Sequence, residues 1–115
     1  MQSPLNESAS VVLDASGNGT LRMKPYGGSL TWLPTIVSVK ASSSVSEAEC
    51  RVYIGPAAVD AWYVDGTLSG SSGDASDRVT GRQVDTHGSA LWAVWQGGDA
   101  GAVATMTVAG MESRP

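Results

Sequence analysis

Between Glu47 and Ile54 apolar and polar positions alternate without a break. Ala48, Cys50, Val52 and Ile54 fall on one side, and Glu47, Glu49, Arg51 and Tyr53 on the other. A period of two is the mark of a half-buried β-strand, because successive side chains leave a strand in opposite directions. The same pattern runs through residues 20–24, where Leu21 and Met23 face inward and Thr20, Arg22 and Lys24 face water. Residues 30–40 read as a longer strand with Val37 and Val39 inward. Pro34 marks a bulge or an edge within it, since proline has no N–H to give a central ladder.

Residues 90–110 read as two strands around a glycine-rich turn. In the first, Leu91, Ala93 and Trp95 share one face and Trp92, Val94 and Gln96 the other. In the second, Ala104, Met106 and Val108 face the core while Val103, Thr105 and Thr107 face outward. Asn18-Gly19 supplies the positive backbone angles of a tight turn, so residues 11–14 and 20–24 are expected to form a first hairpin, ended by Pro25-Tyr26-Gly27-Gly28. The strands on either side of residues 41–46 are expected to form a second, with Val39 opposite Ala48, Val37 opposite Cys50 and Lys40 meeting Glu47. Ser44-Val45-Ser46-Glu47 also fits a helix capping box, but no apolar helical period follows it, and it is read as loop.

From residue 55 to 88 the pattern breaks into short pieces: 61–64, 67–68, Val79 and 83–84, between Gly, Ser and Asp turns. A stretch of this kind is a surface excursion or an interface. About eight short strands in all predict an all-β fold, a single antiparallel β-sandwich or jelly-roll-like barrel. Residues 9–110 form that domain, 1–8 an N-terminal arm that frays or docks on a neighbouring subunit, and 111–115 a C-terminal tail.

Composition agrees. Fourteen glycines and no phenylalanine in 115 residues disfavour a helix bundle, while Val, Thr, Trp and Tyr supply strand formers. A chain of this size buries roughly 65% of its unfolded surface, enough for a modest core. Eleven acids against seven scattered bases leave a net charge of −4 and no basic stripe for nucleic acid. Cys50 is the only cysteine, so neither an intramolecular disulfide nor a cysteine-based metal site is expected. The first residues lack the basic start and apolar stretch of a secretory signal, and no segment approaches the ~20 apolar residues of a membrane span. The expectation is a chain made soluble in the cytoplasm.

Candidate chemistry is sparse. His87 within Asp85-Thr86-His87-Gly88-Ser89 invites a hydrolase reading, but neighbours in a polar loop rarely make a triad, and no nucleophile elbow is present. Asp65, Asp74, Asp77 and Asp99 sit in flexible turns of the kind calcium favours, yet without the spacing of a calcium loop. Tyr26, Trp32, Trp62, Tyr63, Trp92 and Trp95 are able to stack on sugars or to fill a core and a protein interface. Trp62, Tyr63, Trp92 and Val103 are the expected interface residues of an oligomer. The residues point to no enzyme and no cofactor.

Four phrases, V-V-L-D-A-S-G-N-G-T, E-A-E-C-R-V-Y-I-G, V-D-G-T-L-S-G-S-S-G-D-A-S-D and L-W-A-V-W-Q-G-G-D-A-G-A-V-A-T-M-T-V-A-G, together resemble a family of small virion proteins from tailed bacteriophages of actinobacterial hosts. The likeness covers about residues 9–110, and its recurring turns correspond to residues 65–77 and 95–99. It implies a non-enzymatic structural protein, made in the host cytoplasm and carried in the virion, that decorates the head, neck or collar through contacts with other virion proteins. A minor tail protein, or a carbohydrate-binding module that attaches to host glycans, is the alternative.

Overall fold

In the computed structural model, residues 2–27, 29–42, 45–69 and 73–114 are described. Nine strands follow in order: β1 (Gln2–Val12), β2 (Gly19–Met23), β3 (Thr31–Ala41), β4 (Glu49–Gly55), β5 (Tyr63–Ser69), β6 (Asp74–Ser76), β7 (Val84–Asp85), β8 (Ala90–Gln96) and β9 (Val103–Ser113). One sheet has the order β1-β9-β3-β6, with β7 also on β3, and the other has β2-β8-β4-β5. Every pairing is antiparallel. Apart from the two-residue β7, the strands pair first with last: β1 with β9, β2 with β8, β3 with β6, β4 with β5. A single antiparallel ribbon wrapped into two facing sheets is a jelly roll.

The inward rows expected from the alternation lie in the core: Val37, Cys50, Val52, Ala104, Met106 and Val108 are fully buried, and Leu21 and Met23 nearly so. Of the two faces of residues 91–96, between which the alternation did not choose, the core takes Leu91, Ala93 and Trp95, all fully buried. Trp95 is the largest of these side chains. The register of β3 on β9 shifts between Pro34 and Ile36, the bulge that proline announces, and Pro34 itself is fully buried.

The pairings differ from those expected. β1 and β2, β3 and β4, and β8 and β9 lie in opposite sheets, so none of the three forms a hairpin. Val39 faces Met106 and Asp74 rather than Ala48, and Cys50 faces Trp95 and Leu68 rather than Val37. Inward rows of consecutive strands meet the same core whether the strands are side by side or face to face, so alternation fixes the side of each residue and not its partner. The expected loop at 41–46 begins on Ala41, the last residue of β3, and lies between strands of opposite sheets; its Ser43 and Ser44 lie outside the described residues. So do Gly28 and the 70–72 part of the glycine-rich run.

The ends also differ from the expected arm and tail. Residues 2–8 belong to β1, which pairs with β9 from Gln2–Ser113 to Val12–Val103 without a register shift, and residues 111–113 are the last of β9. Met1 and Pro115 lie outside the described residues. Leu5 is buried on this extension, and Ser8–Thr107 and Ser10–Thr105 hydroxyl pairs at 2.7 and 2.9 Å join the strands outside. The long strands leave a molecule of 46 × 24 × 22 Å. Among the described residues no helix is long and apolar enough to cross a membrane.

The corners at one end interlock. The Asp14 carboxylate accepts the N–H groups of Ser16 and Asn18 at 2.9 and 3.0 Å, and Gly17, with φ 76°, makes the turn that Asn18-Gly19 was expected to make. The Gly98 N–H donates to the Gly17 carbonyl at 3.0 Å, and the Gly97 N–H to the Asn18 side chain at 3.1 Å. A Cβ on Gly17 would fall inside the Gly98 peptide, whereas Gly101, with φ 80°, faces open space. Gly17→Ala therefore combines backbone strain with a backbone clash, and a loss of roughly 2 kcal/mol or more is expected in urea unfolding. Gly101→Ala carries the strain alone and is expected to cost about 1 kcal/mol; equal losses would contradict the interlock.

Candidate functional site

The outer face of the β2-β8-β4-β5 sheet carries a registered row. Arg22 on β2 faces Trp92 on β8, Trp92 faces Tyr53 on β4, and Tyr53 faces Tyr63 on β5. The Arg22 guanidinium lies 5.6 Å from the Trp92 ring centroid, a cation–π contact, and the Tyr53 and Tyr63 rings meet edge to face at 5.9 Å. Tyr53 points away from the core and is nevertheless only 6% exposed, because its aromatic neighbours cover it.

Gly55 brings Trp62 to the same place. The turn Asp60–Trp62 lays the Trp62 ring against the Gly55 backbone, where a Cβ would collide with it, and the Trp92 indole N–H donates to the Gly55 carbonyl at 2.9 Å. The Tyr63 hydroxyl lies over Gly66 in the same way. Trp62 and Tyr63 remain 41% and 43% exposed, although alternation within one strand would have turned one of them inward. They escape it because Trp62 ends the turn and Tyr63 begins β5.

Three of the four expected interface residues are thus brought together. Trp62 and Tyr63 are open, and Trp92 is a half-buried support between them and Arg22. Val103 is elsewhere: it pairs with Val12 on the outer face of the other sheet, where both are exposed. Arg22 and Tyr53 were not singled out from sequence as site residues, and only the cross-strand register links them to Trp92.

Beside this row the edges of β1 and β2 part to leave a cleft of about 430 Å³ lined by Glu7, Arg22, Lys24, Tyr26 and Trp32 among others. Tyr26 stands 94% exposed on its rim. A smaller hollow of about 230 Å³ shares Arg22 and Lys24 and reaches Gly55 and Trp92. Among the described residues the indole N–H groups of buried Trp32 and Trp95 find no hydrogen-bond partner.

The other candidates hold turns. Asp85 accepts the backbone N–H groups of His87 and Ser89, so the His87 segment is a carboxylate-capped loop. Asp99 receives the N–H groups of Val45 and Ser46 at 3.0 and 2.8 Å, Asp74 that of Ala75, and Asp65 that of Gly66 and the Ser76 hydroxyl. Among the described residues no three His, Cys, Asp or Glu side chains are grouped to hold a metal ion. No family model matches the chain, and no curated protein matches it.

Cys50 is sealed in the core. Burial pushes its thiol from the ordinary 9.0 up to about 12, against a smaller opposing effect of the Val94 backbone hydrogen bond. The native thiol is expected to resist Ellman's reagent at neutral pH and to react on unfolding. The unfolded thiol ionises near 9.0 while the folded one keeps its proton to about 12, so the unfolded state binds fewer protons in between. Stability attributable to this group is therefore full below that window and falls as pH rises through it, by up to about 1.4 kcal/mol per pH unit. Cys50→Ala, followed by urea unfolding against pH, should remove that part of the slope.

Proposed function

We propose that this chain is a non-enzymatic virion structural protein, a jelly roll that docks on other proteins of a bacteriophage particle at the head, neck or collar. The observation that carries the docking reading is the Arg22–Trp92–Tyr53–Tyr63 row with Trp62 beside it. Trp, Tyr and Arg are the residues enriched at binding hot spots, and here Trp92 and Tyr53 hold the exposed rings in place before any partner arrives. Jelly rolls recur in viral capsid and lectin domains. The resemblance of the four phrases to those of small phage virion proteins supports the particle; a place in the tail differs only in which partner is met. Such a chain is made in the host cytoplasm and carried in the virion.

Trp62→Asp is expected to keep the fold, with a lower melting temperature because the ring no longer packs on Gly55, and to weaken incorporation of the folded chain into particles by about 2 kcal/mol, roughly thirtyfold. Absence of the wild-type chain from purified particles by mass spectrometry would overturn the virion reading. Undiminished incorporation of the variant would overturn the docking face.

A glycan-binding reading is favoured by one observation, the fully presented Tyr26 ring on the rim of the 430 Å³ cleft. A sugar stacked there would hydrogen-bond the charged walls. On that reading a glycan array shows binding that Tyr26→Ala removes; an array at background contradicts it.

A further inference from the structure

Two open sheets have four edges, and an edge strand with free N–H and C=O groups is a template for another strand. Proteins blunt such edges with short strands, charges, proline and bulges. Three of the four here are blunted in those ways. β6 and β7 have three and two residues. β5 meets β4 through two register irregularities. β2 has five residues, carries Arg22, and is followed by Lys24 and Pro25.

β1 is different. It is eleven residues long and holds its register on β9 throughout, so that its two blunting devices, Pro4 near its start and the core-side Glu7, leave residues 8–12 without one. Of its outward positions, Asn6, Ser8 and Ser10 are small and polar, and Val12 is exposed at its end. The other strands of this length, β3 and β9, are already paired on both sides.

We infer that β1 is an assembly edge, and that its partner is the β1 of a second copy of this chain, added antiparallel across a two-fold axis to make one continuous sheet. Such an interface is isologous, and the matching strand must be as long and as unbroken as β1, which the second copy supplies. A register centred on Glu7 would set two carboxylates face to face. A register centred on Ser8 places Glu7 opposite Ala9 of the second copy, Asn6 opposite its Ser10, and Leu5 opposite its Val11. Core-side residues then meet core-side residues, and no like charges oppose. The surface used is the edge of one sheet, whereas the docking row lies on the outer face of the other. Either assignment stands or falls without the other.

Light scattering after gel filtration is expected to give twice the 11.8 kDa chain mass. Because Cys50 is fully buried, Ser8→Cys adds the one accessible thiol, and Ser38→Cys on doubly paired β3 is the control. Mild oxidation should join Ser8→Cys chains on the order of tenfold or more faster than Ser38→Cys chains, since pairing holds the thiols at millimolar effective concentration. The double variant Ser8→Lys, Ser10→Lys should be a folded monomer. A monomeric wild type, cross-linking no faster than the control, or a lysine variant that stays dimeric would each overturn the assignment.

Discussion

The pairing of the two chain ends, β1 along β9, is the interaction on which the rest of this molecule depends. β9 is the central strand of its sheet, with β1 on one side and β3 on the other, and its Ala104, Met106 and Val108 are fully buried in the middle of the core. Until it docks, β1 and most of β3 have no ladder, and Leu13 lacks its backbone hydrogen bonds to Gly101 and Ala102 at the entry to β9. The strands it joins are nearly the whole chain apart. Such closure has a large entropic cost before any contact rewards it, so the fold is expected to form slowly and cooperatively.

Which side of each strand faces the core was legible from the sequence, and which strand lies beside it was not. Leu21, Val37, Val52 and Met106 sit inward as alternation requires, whereas the choice of Trp95 over Trp92 for the core was open in a strand aromatic on both faces. The hairpins read at the turns are instead arches between sheets, because a glycine-rich turn such as 97–102 reverses the chain without saying whether it stays in one layer. Residues 2–8 read as an arm because an edge strand needs few apolar residues: Leu5 is the one deeply buried there, and small polar side chains complete the ladder. Pro34 was legible for the opposite reason, since its missing N–H has one consequence in a ladder.

The site followed the same division. Trp62, Tyr63 and Trp92 stood out as aromatic surface, but their grouping depended on which strands are neighbours. Arg22 and Tyr53 joined them only through the register of β2, β8, β4 and β5. Val103 shares an outward position with Trp92 in pattern but belongs to the other layer. The two outer faces therefore differ in character. One is aromatic and cationic with rigid support, and the other joins Ser and Thr hydroxyl pairs at the β1 edge to the exposed aliphatic Val12 and Val103.

Closure by the chain ends is tested most directly by native-state amide hydrogen exchange read residue by residue. The account predicts that amides of residues 103–113 exchange only with global unfolding, and that β1 amides facing β9 within residues 2–8 share that protection. Free-chain exchange at residues 2–8 and 111–113, with β4 and β8 still protected, would contradict it and restore the arm and the tail.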